Sequence, residues 1–155
     1  MNILLIMLAG FVATLAMTLV MGFIHGLGLA NADMVRAIGS LFTRKYENAF
    51  WPGALAHFGA GTIFALLYAA LGGLAPLPVS SGVATVIMMT IFGAFHGFAV
   101  SIILAITVAE YHPLEQFRKA GGDVVVSHFV GHLVYGFFVG LILAMTGVDL
   151  KLISL

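Results

Sequence analysis

The chain has 155 residues, the size of one domain, with zero formal net charge and no cysteine. It is 62% hydrophobic and 8% charged, against about 25% charged in soluble domains, so lipid must be the solvent around most of it. Zero net charge offers no basic field for nucleic acid. The lack of cysteine removes disulfides, thiolate metal ligands, iron–sulfur clusters and thiol nucleophiles.

Ile3 to Ala30 is an apolar run with one ionisable side chain, His25. A membrane-spanning helix needs about 20 such residues. Ala30-Asn31-Ala32 resembles a signal-peptidase site, but Met1-Asn2 gives no basic start and the run exceeds the ~7–15 residues of a signal core. It reads as the first span. In the polar connection from Asn31 to Pro52, Met34, Val35, Ile38, Leu41, Phe42 and Tyr46 recur at helical spacing. Asp33, Arg36, Thr43, Arg44 and Glu47 take the other faces. That pattern predicts a short amphipathic helix at the membrane interface. Phe50-Trp51-Pro52 supplies an aromatic anchor and a helix start.

Gly53 to Ala75 is the second span, followed by a charge-free turn with Pro76 and Pro78. The third span runs from about Val83 to Ala109 or Glu110. Pro113 ends it, because proline disfavours helix at the residue before it. Leu114 to Asp123 is a charged loop, and Val124 to about Met145 is the fourth span. Five basic residues (Arg36, Arg44, Lys45, Arg118, Lys119) lie in the two charged loops, against Lys151 and the amino terminus on the other side. The positive-inside rule puts both loops in the cytoplasm and both termini outside.

A phrase recurs at an offset of 71 residues. Val12-Ala13-Thr14, Met17 and Gly22-Phe23-Ile24-His25-Gly26 match Val83-Ala84-Thr85, Met88 and Gly93-Ala94-Phe95-His96-Gly97; His57-Phe58 matches His128-Phe129. The expected fold is all-α: a single domain over 1–155, a four-transmembrane-helix bundle of two parallel-topology hairpin repeats (about 3–75 and 82–147). Its pseudo-twofold axis runs along the membrane normal. Gly22 and Gly26, Gly93 and Gly97, Gly136 and Gly140, and Ala56 and Ala60 are small residues four apart, the spacing that lets helices approach closely in lipid.

The six histidines carry the chemistry. His112, at the end of the third span, reads as a side chain bonded to a neighbouring helix. His25, His57, His96, His128 and His132 are the candidate cofactor or metal ligands, because ionisable groups inside a membrane are costly and imidazole suits iron, copper and zinc. Two of them from opposite repeats could hold a b-type haem, with Gly26, Gly97 and Gly131 leaving room for the macrocycle. His128 and His132 share a helix face at four-residue spacing. No acid lies inside a span apart from Glu110 at its end, which argues against a carboxylate di-iron site or a Ser–His–Asp triad. A proton relay through the histidines is the other chemistry, although the outer half of the spans lacks ionisable residues.

Gly53-Ala54-Leu55-Ala56-His57-Phe58 with Phe64-Ala65-Leu66-Leu67-Tyr68-Ala69 resembles the second span of a widespread bacterial family of small four-helix membrane proteins of unknown function. Gly131-His132-Leu133-Val134-Tyr135-Gly136 resembles that family's fourth-span motif. The resemblance implies four spans and a bacterial inner (cytoplasmic) membrane, and no activity. The residues themselves point to a non-catalytic subunit that binds b-type haem, or a copper, iron or zinc ion, within a respiratory or photosynthetic complex. The alternatives are a cofactor-free structural accessory subunit and a small transporter or proton-conducting protein.

Overall fold

The computed structural model describes residues 3–75, 82–119, 121–148 and 150. Among these residues every regular element is helical. Helix α1 (Ile3–Gly26) ends at a left-handed turn on Gly28 (φ +69°), a conformation open to glycine because it has no Cβ. Helix α2 (Met34–Thr43) is capped by Asp33, whose carboxylate accepts from the Arg36 N–H, and stops at Arg44 with φ 55°. Helix α3 (Phe50–Leu74) starts at the aromatic anchor, three residues earlier than the composition suggests. Helix α4 (Gly82–Ile103) continues through a π-helical turn (Leu104–Val108) into the short α5 (Ala109–Tyr111). The charged loop contains a one-turn helix, α6 (Glu115–Arg118), and α7 (Gly122–Thr146) closes the bundle. The proline turn at 76–81, Asp149 and Lys151 lie outside the described residues.

Four helices are long and apolar enough to cross a membrane. Large apolar side chains stand exposed on all four, among them Leu4, Leu19, Leu55, Ile63, Val83, Phe95 and Val126. A patchwork of this extent is foreign to water-facing surfaces, so the chain is a multi-pass membrane protein whose lipid takes the outer faces.

Packing runs in the order α3, α1, α7, α4, with α1 and α7 the most buried; the ring closes loosely, because α3 and α4 touch sparsely. Glycine sets the tight crossings. A Cβ on Gly93 would overlap the His132 carbonyl, and one on Gly136 would overlap the Met89 carbonyl. In the first hairpin Gly10 lies against Ala65 and Gly61, and Gly61 against Thr14. Gly22 and Gly26, expected at a helix contact, would meet nothing with an added Cβ and are exposed. They are not packing residues.

These contacts correct the register of the repeat. Ala65 and Gly136 are equivalent by contact and stand 71 residues apart, as do Gly61 and His132. Their partners on the first helix of each hairpin are Gly10 with Gly93, and Thr14 with Gly97. Those pairs are 83 apart, a slip of 12 residues, or about 18 Å at helical rise. The second helices therefore keep the offset of the repeated phrase and the first helices do not. The first connector is longer by that slip, and the extra length carries α2. The pairing of His57 with His128 survives; the pairing of His25 with His96 does not.

Candidate functional site

His57, His96 and His132, from α3, α4 and α7, line one cavity of about 170 Å3. Thr14 and Met17 of α1, Met34 and Ile38 of α2, and Phe64 and Tyr135 complete its wall. His128, one turn before His132, lines a second cavity of about 160 Å3 between α2, the π turn and α7.

Hydrogen bonds fix the tautomers of three of the four rings. The His128 and His132 Nδ1 atoms lie 2.8 Å from the carbonyls of Val124 and His128. A carbonyl can only accept, so both rings carry Nδ1–H and leave a lone pair on Nε2. The helix itself holds these rings, as outer hydrogen bonds hold metal-bound imidazoles. His57 Nε2 is 3.1 Å from the Thr18 hydroxyl oxygen, whose own hydrogen goes to the Thr14 carbonyl at 2.7 Å. His57 is therefore the donor there, and its lone pair is on Nδ1. His96 shares a 3.0 Å hydrogen bond with the Tyr68 hydroxyl through Nδ1. Its ring sits between Phe64 (4.0 Å between centroids) and His132 (4.6 Å, at 70°).

His25 stands apart. It is exposed at the end of α1 and lines a polar cavity of about 230 Å3 with Thr18, Asp33, Arg36 and Tyr46. There the Tyr46 hydroxyl donates to Asp33 at 2.7 Å, and this bond, with partial burial and the nearby carboxylate charge, pushes the phenol above its usual range. The Arg36 guanidinium lies over the Tyr46 and Phe50 rings, 4.9 and 5.6 Å from their centroids, with its Nε buried and unpaired. His112 is buried and bonded as the sequence suggests: Nδ1 accepts from the Leu114 N–H at 3.1 Å, and Nε2 donates to the Ala37 carbonyl of α2 at 3.0 Å.

Neither Gly97 nor Gly131 leaves space for a macrocycle. Gly97 is filled by the His132 Cβ, and Gly131 by Met17 and Met21. The His96–His132 contact is too short for a porphyrin to lie between those rings. Among the described residues, no group of three or more histidines and acids is close enough to hold a metal ion.

Tyr68 and Tyr135 stand in the sequence only as members of the second- and fourth-span motifs, with no site role predicted for them. A signal was present: tyrosines inside apolar spans need a hydrogen-bond partner, and Tyr135 stands 71 residues from Phe64, on the same cavity. Tyr135 finds its partner in the Gly61 carbonyl. Comparison with protein-family models, with curated proteins and with solved structures finds no match for this chain.

Proposed function

We propose that this chain is a non-catalytic integral membrane subunit that holds a redox cofactor among its transmembrane histidines, inside a larger electron-transfer complex. The single observation that carries this reading is the convergence of His57, His96 and His132 from three spans on one intramembrane cavity. Ionisable side chains are rare at such depth and mark function when they converge. The basic residues of the two charged loops support a cytoplasmic position for α2 and α6 in a bacterial inner membrane. A cofactor of smaller cross-section than a porphyrin suits the rings as they stand. A haem would require His96 and His132 to part.

The test is an inventory of the protein purified from its native membrane: a visible spectrum, elemental analysis for iron, copper and zinc, and solvent extraction of lipid-soluble redox molecules. A redox-active species near one per chain is expected. Its absence from all three measurements would sink the reading.

A cofactor-free accessory subunit is the second reading. It is favoured by the fact that all four rings have a hydrogen-bond partner within the chain. Under that reading His132→Phe leaves assembly with partner subunits and the redox spectrum of the complex unchanged.

A further inference from the structure

We infer that the cofactor is a lipid-soluble molecule with a phenolic head and an apolar tail, of the hydroquinone class, admitted from the bilayer between α3 and α4. This rests on the proposed function and names the class of molecule that the same site takes.

The shape comes first. The histidine cavity and the cavity behind it share Met34, Ile38 and Val100 as walls. Met34 is the flexible member of that common wall, and methionine adapts readily to a neighbour. The two cavities, about 170 and 160 Å3, together reach the lower edge of small-molecule sites, roughly 300–1,000 Å3, once Met34 moves aside. One end carries His57, His96 and His132. The other is walled mainly by apolar side chains, Leu41, Leu104 and Val108 among them, with His112 and His128 its polar exceptions, where the π turn interrupts the α-helical spacing. Such turns are frequent at functional sites. A polar end and an apolar end call for an amphiphile.

The head follows from the tautomers. In the first cavity His132 Nε2 and His57 Nδ1 each present a lone pair with no protein donor among the described residues; His128 Nε2 does the same in the second. His128 and His132 cannot exchange donor for acceptor at Nε2 without turning Nδ1 lone pair toward a carbonyl lone pair. A hydroxyl donates to such a nitrogen; a quinone carbonyl meets it lone pair to lone pair. The site therefore prefers the reduced, dihydroxy ring to the oxidised one.

Access follows from the packing. The seam between α3 and α4 is the loosely packed one, and Phe64 and His96 face each other across it. A molecule dissolved in the bilayer reaches the histidines there, without crossing water, when the Phe64–His96 ring contact parts.

The test is equilibrium binding to the full chain in lipid nanodiscs under anaerobic conditions, with decylhydroquinone, decylbenzoquinone and decanol as probes. Saturable decylhydroquinone binding is expected, about tenfold tighter than the quinone, the cost of one unmade hydrogen bond in a buried site. His132→Phe keeps the ring and removes the lone pair, and should weaken hydroquinone at least about tenfold while sparing the quinone. Ile38→Trp, at a partly buried position of α2, fills the chamber and should abolish binding of both, with thermal denaturation checking that the variant stays folded. Equal affinity for the two oxidation states, or equal competition by decanol, overturns the phenolic head. No saturable binding in a protein that carries haem or metal overturns this inference and leaves the proposed function standing; no binding and no redox group at all sinks both.

Discussion

Along the seam between α1 and α7, Gly131 sits against Met17 and Met21 and the helices are in continuous contact. Along the seam between α3 and α4, contact is sparse and a cavity opens, bridged by the Phe64–His96 stack and the Tyr68–His96 hydrogen bond. Two hairpins related by a pseudo-twofold axis should make these seams alike, since the axis exchanges α1 with α4 and α3 with α7. They differ because α2 occupies the open side. Gly39 of α2 and Gly53 of α3 bring the two backbones together, each leaving no room for a Cβ against the other helix or its approach. That clamp lays Met34 and Ile38 over the cavity. In this bundle the symmetry holds within the hairpins, and the histidine cavity lies at the seam where it fails.

The largest expected effect breaks the hairpin itself. Gly93→Leu would drive a side chain into the His132 carbonyl and should cost more than about 3 kcal/mol, beyond the usual range for overpacking, because backbone cannot yield. The sequence-equivalent phrase gives the control: Gly22→Ala meets nothing and should stay within about 0.5 kcal/mol. Thermal denaturation in one detergent reads both. A comparable loss for the two would restore the repeat register of the sequence.

Next comes the clamp. Gly53→Ala should lift α2 from α3 and cost about 1–3 kcal/mol, and it should raise the accessibility of the chamber. The chain has no native cysteine, so Val100→Cys gives a single labelling site on both cavities. A lipid-soluble maleimide should label it faster in the Gly53→Ala background; an unchanged rate would mean that α2 does not cover the chamber. Phe64→Ala tests the open seam with the same label. Loss of the ring stack with His96 should cost about 0.5–1.5 kcal/mol and speed labelling from the bilayer. On the closed seam, Gly131→Ala pushes on Met21 Sδ at 3.0 Å and Met17 Cε at 3.1 Å. These flexible ends give way, so the change should stay under about 1 kcal/mol and leave Val100→Cys labelling untouched.

The smallest effect lies in the connector. Tyr46 is bonded to Asp33 as a neutral phenol, with its pKa raised. A raised folded-state value means the contribution is complete below the unfolded value near 10 and is lost as pH rises through the folded one. The difference between the absorbance titrations near 295 nm of the unaltered chain and Tyr46→Phe should be one tyrosine ionising above the usual range. A difference that titrates at the usual tyrosine value would show that the Asp33 bond does not hold the phenol.

The four spans were legible because lipid imposes length and apolarity on each segment separately. Helix α2 was legible from its spacing, and His112 from its place at a span end. The register of α1 was not. A glycine phrase on a lipid-facing surface looks like one at a crossing, and nothing in Gly22-x-x-His25-Gly26 says which way it points. Contact chose Gly10 and Thr14 instead. The site was half legible for the same reason: His57, His96 and His132 line one cavity and His128 the next, while His25 follows its phrase out to the surface. The π turn and α6 left no periodic signal, being too short to have one.

The longer first connector also gives the bundle a direction. Two identical hairpins paired head to head would present the same surface on both flanks. The slip of 12 residues places α2 beside α3 and leaves α1 and α7 packed against each other, so that among the described residues the histidine cavity lies toward α2, α3 and α4. The protein thus has a front and a back in the plane of the membrane.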